Sequence, residues 1–470
     1  MMRILLIDPP FQRFMGFYRY YYPLGLASIA AVLRQAGHEV VVYDADHLES
    51  AETLSWSAVA ERHEEFLKGL HTEDHPLWQE AKDVVSGFAP DIVGITLLSV
   101  KASSGARVAA ICKEVNDRIT VVVGGDHPTV FPAKTLQDAN IDFVVRGEGE
   151  ATMADLVACL QDGDRRRLAH VPGLSYREGH EIRHNAAREP IPDLDVLPLP
   201  AIDALMHVDS YRPVDFGAIM GSRGCPYACT FCGVANLWSR KVRHRSVASV
   251  IREMEWLNET YGTDYFSFRD ASFTLSRERV AELCSEIARR EMGIRWECLT
   301  RPDLLDEAMV EAMKRSGCVT VRIGLESGSK TILRHMKKHL DLDAVRRAAQ
   351  ILTKYGLYWS AYLLMGTPLE TKETVKETLA FVREINPPFL TLARFTPIPG
   401  TEMYEELVHR GLISPDTDWS MECNQRLRSH YVYSMTEEEF ERTMREVAAF
   451  VEAHNIASSA RIGTRDGRLK

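Results

Sequence analysis

The residues most able to do chemistry are three cysteines, Cys225, Cys229 and Cys232, which lie within eight positions in the segment GSRGCPYACTFCG. Thiolate sulfur is the usual ligand of iron-sulfur clusters, and a loop rich in glycine and proline can wrap a cuboidal cluster where a rigid helix cannot. Three protein ligands on a four-iron cluster leave one iron open, and an open metal position binds substrate or cofactor. The spacing therefore predicts a catalytic [4Fe-4S] cluster ligated by these three thiolates.

Two other interpretations of the cysteines remain open. A zinc site needs a fourth Cys or His ligand, for which His244 is the nearest candidate, and unligated buried thiols are also common. The isolated Cys423 is a possible extra ligand or thiol radical donor, but an idle buried thiol is the more common role of such a residue. The CxxxCxxC spacing, with the aromatic Phe231 before the last cysteine, favours the cluster.

The cysteine loop follows the first strand of a strand-helix alternation. Strands are expected at 216–220, 265–268, 294–298, 319–323, 357–364 and 389–395, and helices at 247–261, 277–290, 304–316, 342–355 and 374–385. Six such units predict a partial (β/α)6 barrel of TIM type, whose active site lies at the carboxyl ends of its strands.

The first 190 residues alternate in the same way and predict a separate α/β domain, a doubly wound Rossmann-like sheet. Strands are expected at 4–7, 40–43, 92–96, 120–123 and 143–146, and helices at 25–36 and 102–115. Ligands of such sheets bind at the carboxyl ends of the strands. Those ends carry Pro9, Gly124, Gly125, Gly147 and Glu148. These residues outline a candidate cofactor face, unless the glycine-rich turns merely end strands and begin helices.

A proline-rich segment separates the two alternations. Five of the 21 prolines fall between Pro190 and Pro213, with almost no periodicity, which favours an extended linker. The predicted organisation is a first domain at 1–190, a linker at 191–213, a barrel at 214–400 and a mainly helical C-terminal region at 401–470.

Composition narrows the setting of the chemistry. A length of 470 residues suits two or three domains, and the net charge of -10 argues against a nucleic-acid partner and favours a small-molecule or peptidic substrate. No apolar run approaches the roughly 20 residues of a membrane span. The nine unevenly spaced cysteines and the absence of a signal-peptide core predict a cytoplasmic protein.

The cysteine motif resembles that of the radical S-adenosylmethionine (SAM) superfamily, whose CxxxCxΦC pattern is matched by Cys225, Cys229, Phe231 and Cys232. The resemblance covers most of the chain, and its order and spacing fit the subgroup in which a cobalamin-binding domain precedes the barrel. The matching barrel segments are FRDASF (268–273), TRPD (300–303), GLESGS (324–329), GTPLET (366–371) and PIPGT (397–401). The matching segments of the first domain are PLGL (23–26), GHEV (37–40), GGDHP (124–128) and GEGE (147–150).

The resemblance implies that the open iron chelates SAM and that an electron from the cluster cleaves SAM to a 5′-deoxyadenosyl radical. It places Asp270 against the methionine amino group, with a helix cap as the alternative role, and counts Phe231 among the SAM-binding residues. Arg301 and Glu326 lie at strand ends facing the barrel mouth and are expected to bind SAM, unless they form a surface ion pair.

Cobalamin is implied by the same resemblance, with Pro9, Gly124, Gly125, Gly147 and Glu148 as its expected contacts. The D-x-H-x-x-G pattern that supplies a lower-axial histidine is absent, since DADH (44–47) and GDHPT (125–129) both fail it. Either the cobalt has no protein histidine ligand, which we favour, or the domain has lost the cofactor. His127 is then expected to be a turn residue.

The leading functional prediction is transfer of a methyl group from methylcobalamin to an unactivated carbon after the radical removes a hydrogen atom. A flavodoxin or ferredoxin would supply the electron. One alternative keeps the cofactors for oxidative cyclisation or rearrangement, as in the anaerobic porphyrin cyclases that the domain order also resembles. Another is a non-catalytic iron-sulfur electron carrier. The acidic balance disfavours a tRNA methylthiotransferase.

Overall fold

The computed structural model describes residues 1–17, 21–49, 56–414, 416–424 and 426–462. The predicted regions 1–190 and 401–470 therefore include positions outside the described residues. Two sheets organise the described chain, with a small hairpin between them.

The first sheet has seven strands in the order β2-β1-β3-β4-β5-β6-β7. The strands are Arg3–Asp8 (β1), Glu39–Asp44 (β2), Ile92–Thr96 (β3), Thr120–Gly124 (β4), Phe143–Val145 (β5), Leu174–Glu178 (β6) and Glu181–His184 (β7). Strands β1 to β5 pair in parallel, whereas β6 and β7 are antiparallel additions at one edge.

Helices cover both faces of this sheet. They are Leu24–Gln35 (α1), Trp56–His71 (α2), Pro76–Phe88 (α3), Ala102–Val115 (α4), Asp126–Val130 (α5), Pro132–Thr135 (α6) and Gly149–Asp162 (α7). Alternate residues of β1 enter different cores, since Ile4 and Leu6 pack on one face while Leu5 and Ile7 pack on the other. Burial on both faces explains the continuous Val/Ile runs. The predicted doubly wound first domain is confirmed.

The proline-rich segment 191–213 is packed, contrary to the extended linker that its prolines suggested. Ile202 and Leu205 are buried, and Leu205 forms an isolated parallel bridge with Val42 of β2. The Ala201 amide donates to the Ala27 carbonyl of α1 at 3.0 Å. Proline removes backbone donors but not the gain from burying the apolar residues between the prolines. The exact domain boundaries stay a prediction.

The second sheet has six strands in the order β15-β14-β13-β12-β11-β8. They are Ala218–Ile219 (β8), Tyr265–Phe268 (β11), Arg295–Thr300 (β12), Cys318–Glu326 (β13), Tyr358–Met365 (β14) and Phe389–Arg394 (β15). All neighbouring pairs are parallel, as the predicted partial TIM-type barrel requires. Two short antiparallel strands, Ser222–Arg223 (β9) and Arg243–His244 (β10), form the hairpin that encloses the cysteine loop.

The helices of the second unit alternate with these strands. They are Val234–Trp238 (α8), Val247–Tyr261 (α9), Arg277–Arg289 (α10), Glu307–Arg315 (α11), Lys330–His335 (α12), Leu342–Lys354 (α13) and Lys372–Ile385 (α14). Side-chain caps begin several of them, as where Ser246 accepts from the Ser249 amide at the start of α9.

The described part of the C-terminal region contains the α-helices Glu402–His409 (α15) and Glu437–Ile462 (α16). Helix α16 covers the outer edge of β15, where the Asn455 side chain accepts from the Leu390 amide at 2.8 Å and donates to the Leu390 carbonyl at 2.9 Å. Pairing this edge blunts a potential site of strand addition. Across the residues that the structure describes, no helix has both the length and the apolar character that a bilayer crossing requires.

Candidate active site between the two sheets

The cysteine loop occupies the turn between β9 and α8, above the carboxyl end of β8. Its thiols are partly buried and form no disulfide. The loop is tied down by backbone bonds, including Thr230 N–H to the Met336 carbonyl at 3.0 Å. Gly224 has φ +94°, and a Cβ at that position would lie 2.4 Å from the Lys241 carbonyl oxygen. Only glycine fits there, so the sharp turn into the cysteines is built into the sequence.

The three thiols share one electrostatic environment. Burial raises the pKa of Cys229 and of Cys232, the three sulfurs interact with one another, and the cationic Lys338 opposes the rise at both residues. A nearby ammonium favours the thiolate form that metal ligation requires. Unpaired, partly exposed thiols beside a cation fit an anionic iron-sulfur cluster.

The zinc alternative is not supported. Among the described residues, no group of three or more His, Cys, Asp or Glu side chains is arranged to hold a metal ion, and His244 therefore does not complete such a site. Zinc needs its thiolates about 2.3 Å from one centre. A cuboidal cluster holds its ligands farther apart, so the cluster assignment of Cys225, Cys229 and Cys232 stays a prediction.

Arg301, expected at the barrel mouth, is buried rather than exposed on the surface. Its side chain donates four hydrogen bonds within the protein. Its guanidinium pairs with both oxygens of Asp303, at 3.0 and 2.8 Å, and donates to the carbonyls of Lys338 and His339 at 2.8 and 3.3 Å. It also lies 3.9 Å above the ring of Tyr227, which belongs to the cysteine loop. Arg301 thus braces the cysteine loop against the chain that follows α12, and its role toward SAM stays a prediction.

Glu326, the other residue expected at the mouth, pairs with a lysine that sequence reasoning missed. Its Oε1 accepts from Lys338 Nζ at 2.9 Å, and both side chains are largely shielded from water. Glu326 has φ +67°, an uncommon backbone conformation for a residue other than glycine. Lys338 Nζ lies 5.9 Å from the ring of Phe231, which packs in the cluster loop. No motif marks Lys338; its burial alone distinguishes it.

Asp270 is fully buried beneath the start of the cysteine loop. Its Oδ1 accepts from the amides of Gly221 and Ser222, at 2.7 and 2.8 Å, while Oδ2 has no protein partner among the described residues. Burial raises the pKa of this carboxyl, and Arg279 opposes the rise. The helix-cap alternative is wrong, because Ser276 caps the following helix α10. The unpartnered oxygen is compatible with a ligand amine, and the contact with SAM stays a prediction.

A cavity lies at the carboxyl edge of the first sheet, facing the β9–β10 hairpin. It has about 1260 Å³ of empty space, including its opening to solvent. The predicted cofactor-face residues Gly124, Gly125, Gly147 and Glu148 line it together with Arg223 of the hairpin. Pro9 is buried at the end of β1 and is not among the lining residues.

Glycine provides the space in this cavity. A Cβ built on Gly25 or Gly147 would meet no atom within 4 Å, so both positions leave room for a ligand to approach the backbone. At Gly125, with φ +106°, a Cβ would instead lie 2.8 Å from the Leu97 carbonyl oxygen. These observations fit a large ligand held mainly by backbone and shape.

Two further buried groups stand at the same edge. Lys101 Nζ pairs with Asp8 at 2.6 Å and with Asp46 at 2.9 Å, and all three side chains are almost fully buried. His127, in the first turn of α5, bonds Ser99 Oγ at 3.1 Å, and burial lowers its pKa to about 4. The neutral ring packs against Phe131 in the turn.

Comparison with known proteins places these two halves in families. A B12 binding domain model matches residues 17–157, and a Radical SAM superfamily model matches residues 219–382. An uncharacterized methyltransferase of Pyrococcus horikoshii is 34% identical over 423 residues, which span 88% of this chain and 84% of the relative. The chain belongs to the radical SAM superfamily.

Two other matches refine the family picture. The radical SAM protein is 31% identical over 339 residues to an anaerobic magnesium-protoporphyrin IX monomethyl ester cyclase of Rubrivivax gelatinosus, covering 70% of this chain and 60% of the cyclase. The solved structure of the radical SAM methyltransferase TsrM from Kitasatospora setae, with cobalamin and a [4Fe-4S] cluster bound, superposes with a TM-score of 0.69. That match covers 96% of this chain and 89% of TsrM at 18% identity, which shows a shared fold.

The family assignment confirms the main sequence predictions. The radical SAM protein is an enzyme, and its cofactors are a [4Fe-4S] cluster, SAM and cobalamin. The interpretation as a non-catalytic electron carrier is therefore set aside.

Proposed function

We propose that this radical SAM enzyme transfers a methyl group, derived from SAM, to an unactivated carbon of a small-molecule or peptidic substrate. The observation that carries the proposal is the junction of the two sites: Arg223, two residues before Cys225, also lines the cavity of the B12-binding domain. When bound, the cofactors supply hydrogen-atom abstraction and a methyl donor. The chain has to bring both to one substrate carbon.

In this proposal Cys225, Cys229 and Cys232 ligate the cluster. Lys338 supplies positive charge beside Cys229, which favours the thiolates and the anionic cluster. Arg301 restrains the same loop through its stacking on Tyr227. The loop is thereby preorganised before SAM binds.

Asp270, Glu326 and Phe231 are proposed to face SAM. The free Oδ2 of Asp270 can accept a hydrogen bond from an amine, since Oδ1 is already fixed by two backbone amides. Glu326 is held at one oxygen by Lys338, which orients the carboxylate without consuming its remaining acceptor capacity.

The cavity is proposed to hold cobalamin through Gly124, Gly125, Gly147 and Glu148, with no contact from Pro9. Its lining is mostly apolar, including Leu24 on α1. Apolar walls exclude water, which protects reactive intermediates from side reactions.

The proposal extends to the reductant and the compartment. A small electron-transfer protein such as flavodoxin or ferredoxin is expected to reduce the cluster. The nine cysteines all lie within the described residues and form no disulfide, which fits a reducing, cytoplasmic setting.

Label transfer tests the proposed function without knowledge of the substrate. The reconstituted enzyme is incubated under anaerobic conditions with Ti(III) citrate, hydroxocobalamin and SAM labelled in its methyl group. We expect labelled methyl on the corrinoid, together with S-adenosylhomocysteine and 5′-deoxyadenosine. Formation of 5′-deoxyadenosine with no label on the corrinoid would contradict methyl transfer.

Oxidative cyclisation is the second candidate, because the Rubrivivax gelatinosus relative is a cyclase. The two functions predict different products from any substrate found. Methyl transfer adds one methyl group carrying the SAM label, whereas cyclisation removes hydrogen and adds no label.

A further inference from the structure

The hairpin at the base of the cysteine loop places two arginines directly opposite each other. Arg223 of β9 and Arg243 of β10 are cross-strand partners, and both are buried. Like charges in this arrangement destabilise a strand pair, and burial makes each uncompensated charge more costly. The hairpin therefore needs negative charge from elsewhere in the molecule.

The compensating carboxylates come from the B12-binding domain. Glu148 Oε2 accepts from Arg223 at 3.1 Å and its Oε1 from Arg243 at 2.5 Å, while Glu150 Oε1 accepts from Arg223 at 2.5 Å. Both glutamates are nearly inaccessible to solvent and stand at the beginning of α7. Within the described residues, these are the carboxylates in salt-bridge range of the two arginines.

The proline-rich segment completes the cluster of charges. The Ile191 amide donates to Glu148 Oε2 at 3.2 Å, and the Ile191 carbonyl accepts from Arg243 Nη1 at 2.7 Å. Two positive and two negative side chains are thus neutralised across the junction of the domains. We call Glu148, Glu150, Arg223 and Arg243 the junction cluster.

The junction cluster borders both cofactor sites. Arg223 is separated from Cys225 by one glycine, and Arg243 closes the hairpin on the far side of the cysteine loop. Glu148, Glu150 and Arg223 also line the cavity. The cavity wall and the base of the cysteine loop are therefore joined through the side chain of Arg223.

We propose that Arg223 and Arg243 are positioning residues that couple occupancy of the cobalamin cavity to the order of the cysteine loop. The inference rests on the proposed function only for the identity of the cavity ligand. Coupling between two sites is reciprocal, because each ligand changes the affinity of the other by the same factor. A loaded cluster should then tighten cobalamin binding, and cobalamin should rigidify residues 224–242.

Two measurements that need no turnover test this coupling. The first is the Kd of hydroxocobalamin, read from its visible absorbance, in iron-free and cluster-reconstituted protein. We expect the reconstituted protein to bind about fivefold or more tightly. The second is amide hydrogen exchange in residues 224–242 of iron-free protein, which we expect hydroxocobalamin to slow by about threefold or more.

The variants separate positioning from general stability. Glu150→Gln and Arg223→Lys alter residues that line the cavity, so the Kd of hydroxocobalamin is expected to rise in both. The ratio of the Kd in iron-free protein to that in reconstituted protein should nevertheless fall to about one, and the slowing of hydrogen exchange should be lost. Glu80→Gln is the matched control, because it disrupts the Arg13–Glu80 pair inside the first domain and should keep both. If Glu150→Gln does not fold, Glu150→Asp replaces it. This variant keeps the negative charge but has a shorter side chain, and it should weaken both effects.

Full coupling in Glu150→Gln and Arg223→Lys would overturn the inference. If a variant exchanged its amide hydrogens faster in the distant helix α16 to the same extent as in residues 224–242, the inference would also be overturned, because the substitution would then destabilise the whole protein. Failure of methyl transfer is a separate result, since coupling is measured on binding and exchange alone.

Discussion

The candidate sites at the carboxyl edges of the two sheets are built in different ways. The cavity at the edge of the first sheet depends on absent atoms, such as the missing side chains of Gly25 and Gly147. The edge of the second sheet depends on present ones, including the Cys229 thiol and the buried Lys338 ammonium. A large ligand needs room, whereas a metal cluster needs donor atoms and charge. Ligand binding at the first edge should therefore be lost when a side-chain atom is added, and cluster binding at the second edge should be lost when a ligand atom is removed.

Removal of one thiol from the cysteine loop, at the edge of the second sheet, should have the largest effect. Cys229→Ala is expected to abolish cluster assembly and SAM cleavage while the first domain still binds hydroxocobalamin, because the two edges belong to different sheets. Iron content and 5′-deoxyadenosine formation measure the loss. Cys159→Ala, at a buried thiol of α7, is the control and should retain both. Full activity in Cys229→Ala would refute the cluster assignment.

Removal of the buried charge of Lys101, at the edge of the first sheet, should lower stability rather than abolish the chemistry. Lys101→Met leaves Asp8 and Asp46 without their shared cation and should lower the free energy of unfolding by about 3–5 kcal/mol. Urea denaturation gives the change. Lys354→Met breaks the exposed, solvent-screened pair with Glu307 and should leave the free energy of unfolding nearly unchanged. Equal costs in the two variants would contradict this view of the triad.

A pH titration should single out His127 at the first edge. Its pKa is about 4 in the folded protein and 6.5 as an ordinary value, because burial disfavours the imidazolium. The unfolded chain binds the extra proton between these values, so stability is complete above pH 6.5 and is lost as pH falls toward 4. The loss should reach about 3 kcal/mol. His127→Gln should flatten the curve in that window, and an unchanged curve would exclude the residue as its source.

Glu370, a fully buried residue that follows β14 and accepts from the Gly366 amide, should show the opposite dependence. Burial raises its pKa from 4.5 to about 7. The folded protein keeps the proton that the unfolded chain releases, so stability is complete below pH 4.5 and is lost as pH rises through 7. Glu370→Gln should remove a loss of about 3 kcal/mol between these values. A steeper decline in the variant would contradict the assignment.

Added methyl groups in the turns at the carboxyl edge of the first sheet should have the smallest effects on stability. Gly125→Ala meets the Leu97 carbonyl at φ +106° and should cost about 1–3 kcal/mol. Gly147→Ala meets no atom within 4 Å, so its strain at φ +74° should cost less, about 1 kcal/mol. Its methyl group should instead weaken hydroxocobalamin binding, measured by absorbance titration. Unchanged binding would show that the ligand does not approach this turn.

Features encoded by local patterns could be predicted from the sequence. Helix α9 at Val247–Tyr261 and strand β3 at Ile92–Thr96 match their expected bounds, because apolar periodicity and continuous Val/Ile runs are local signals. The cysteine loop could also be predicted, because the spacing of its three cysteines is a local signal. Helices α2 and α3 and the edge strands β6 and β7 were missed. The two strands are short and α2 is largely polar, whereas the apolar positions Leu77, Trp78, Ala81 and Val85 of α3 have helical spacing and could have been found.

Features that depend on distant partners could not be predicted. Glu150 and Arg223 are 73 residues apart in sequence, and neither has a local signal that names the other. The role of Lys338 likewise depends on the fold, because its partner Glu326 is reached only when the chain after α12 packs against the end of β13. The segment 191–213 was wrongly expected to be extended because prolines signal turns, whereas the burial of Ile202 depends on the surface of the first sheet.

The like-charged arginine pair constrains how such enzymes can be recombined. A barrel transplanted behind a different corrinoid domain would carry Arg223 and Arg243 without an acidic partner unless the donor brought equivalents of Glu148 and Glu150. The smallest exchangeable module is therefore the barrel together with the start of α7. Chimeras with a crossover before residue 148 keep all four charges of the junction cluster, whereas those that cut between residue 150 and the hairpin should need a compensating acidic graft.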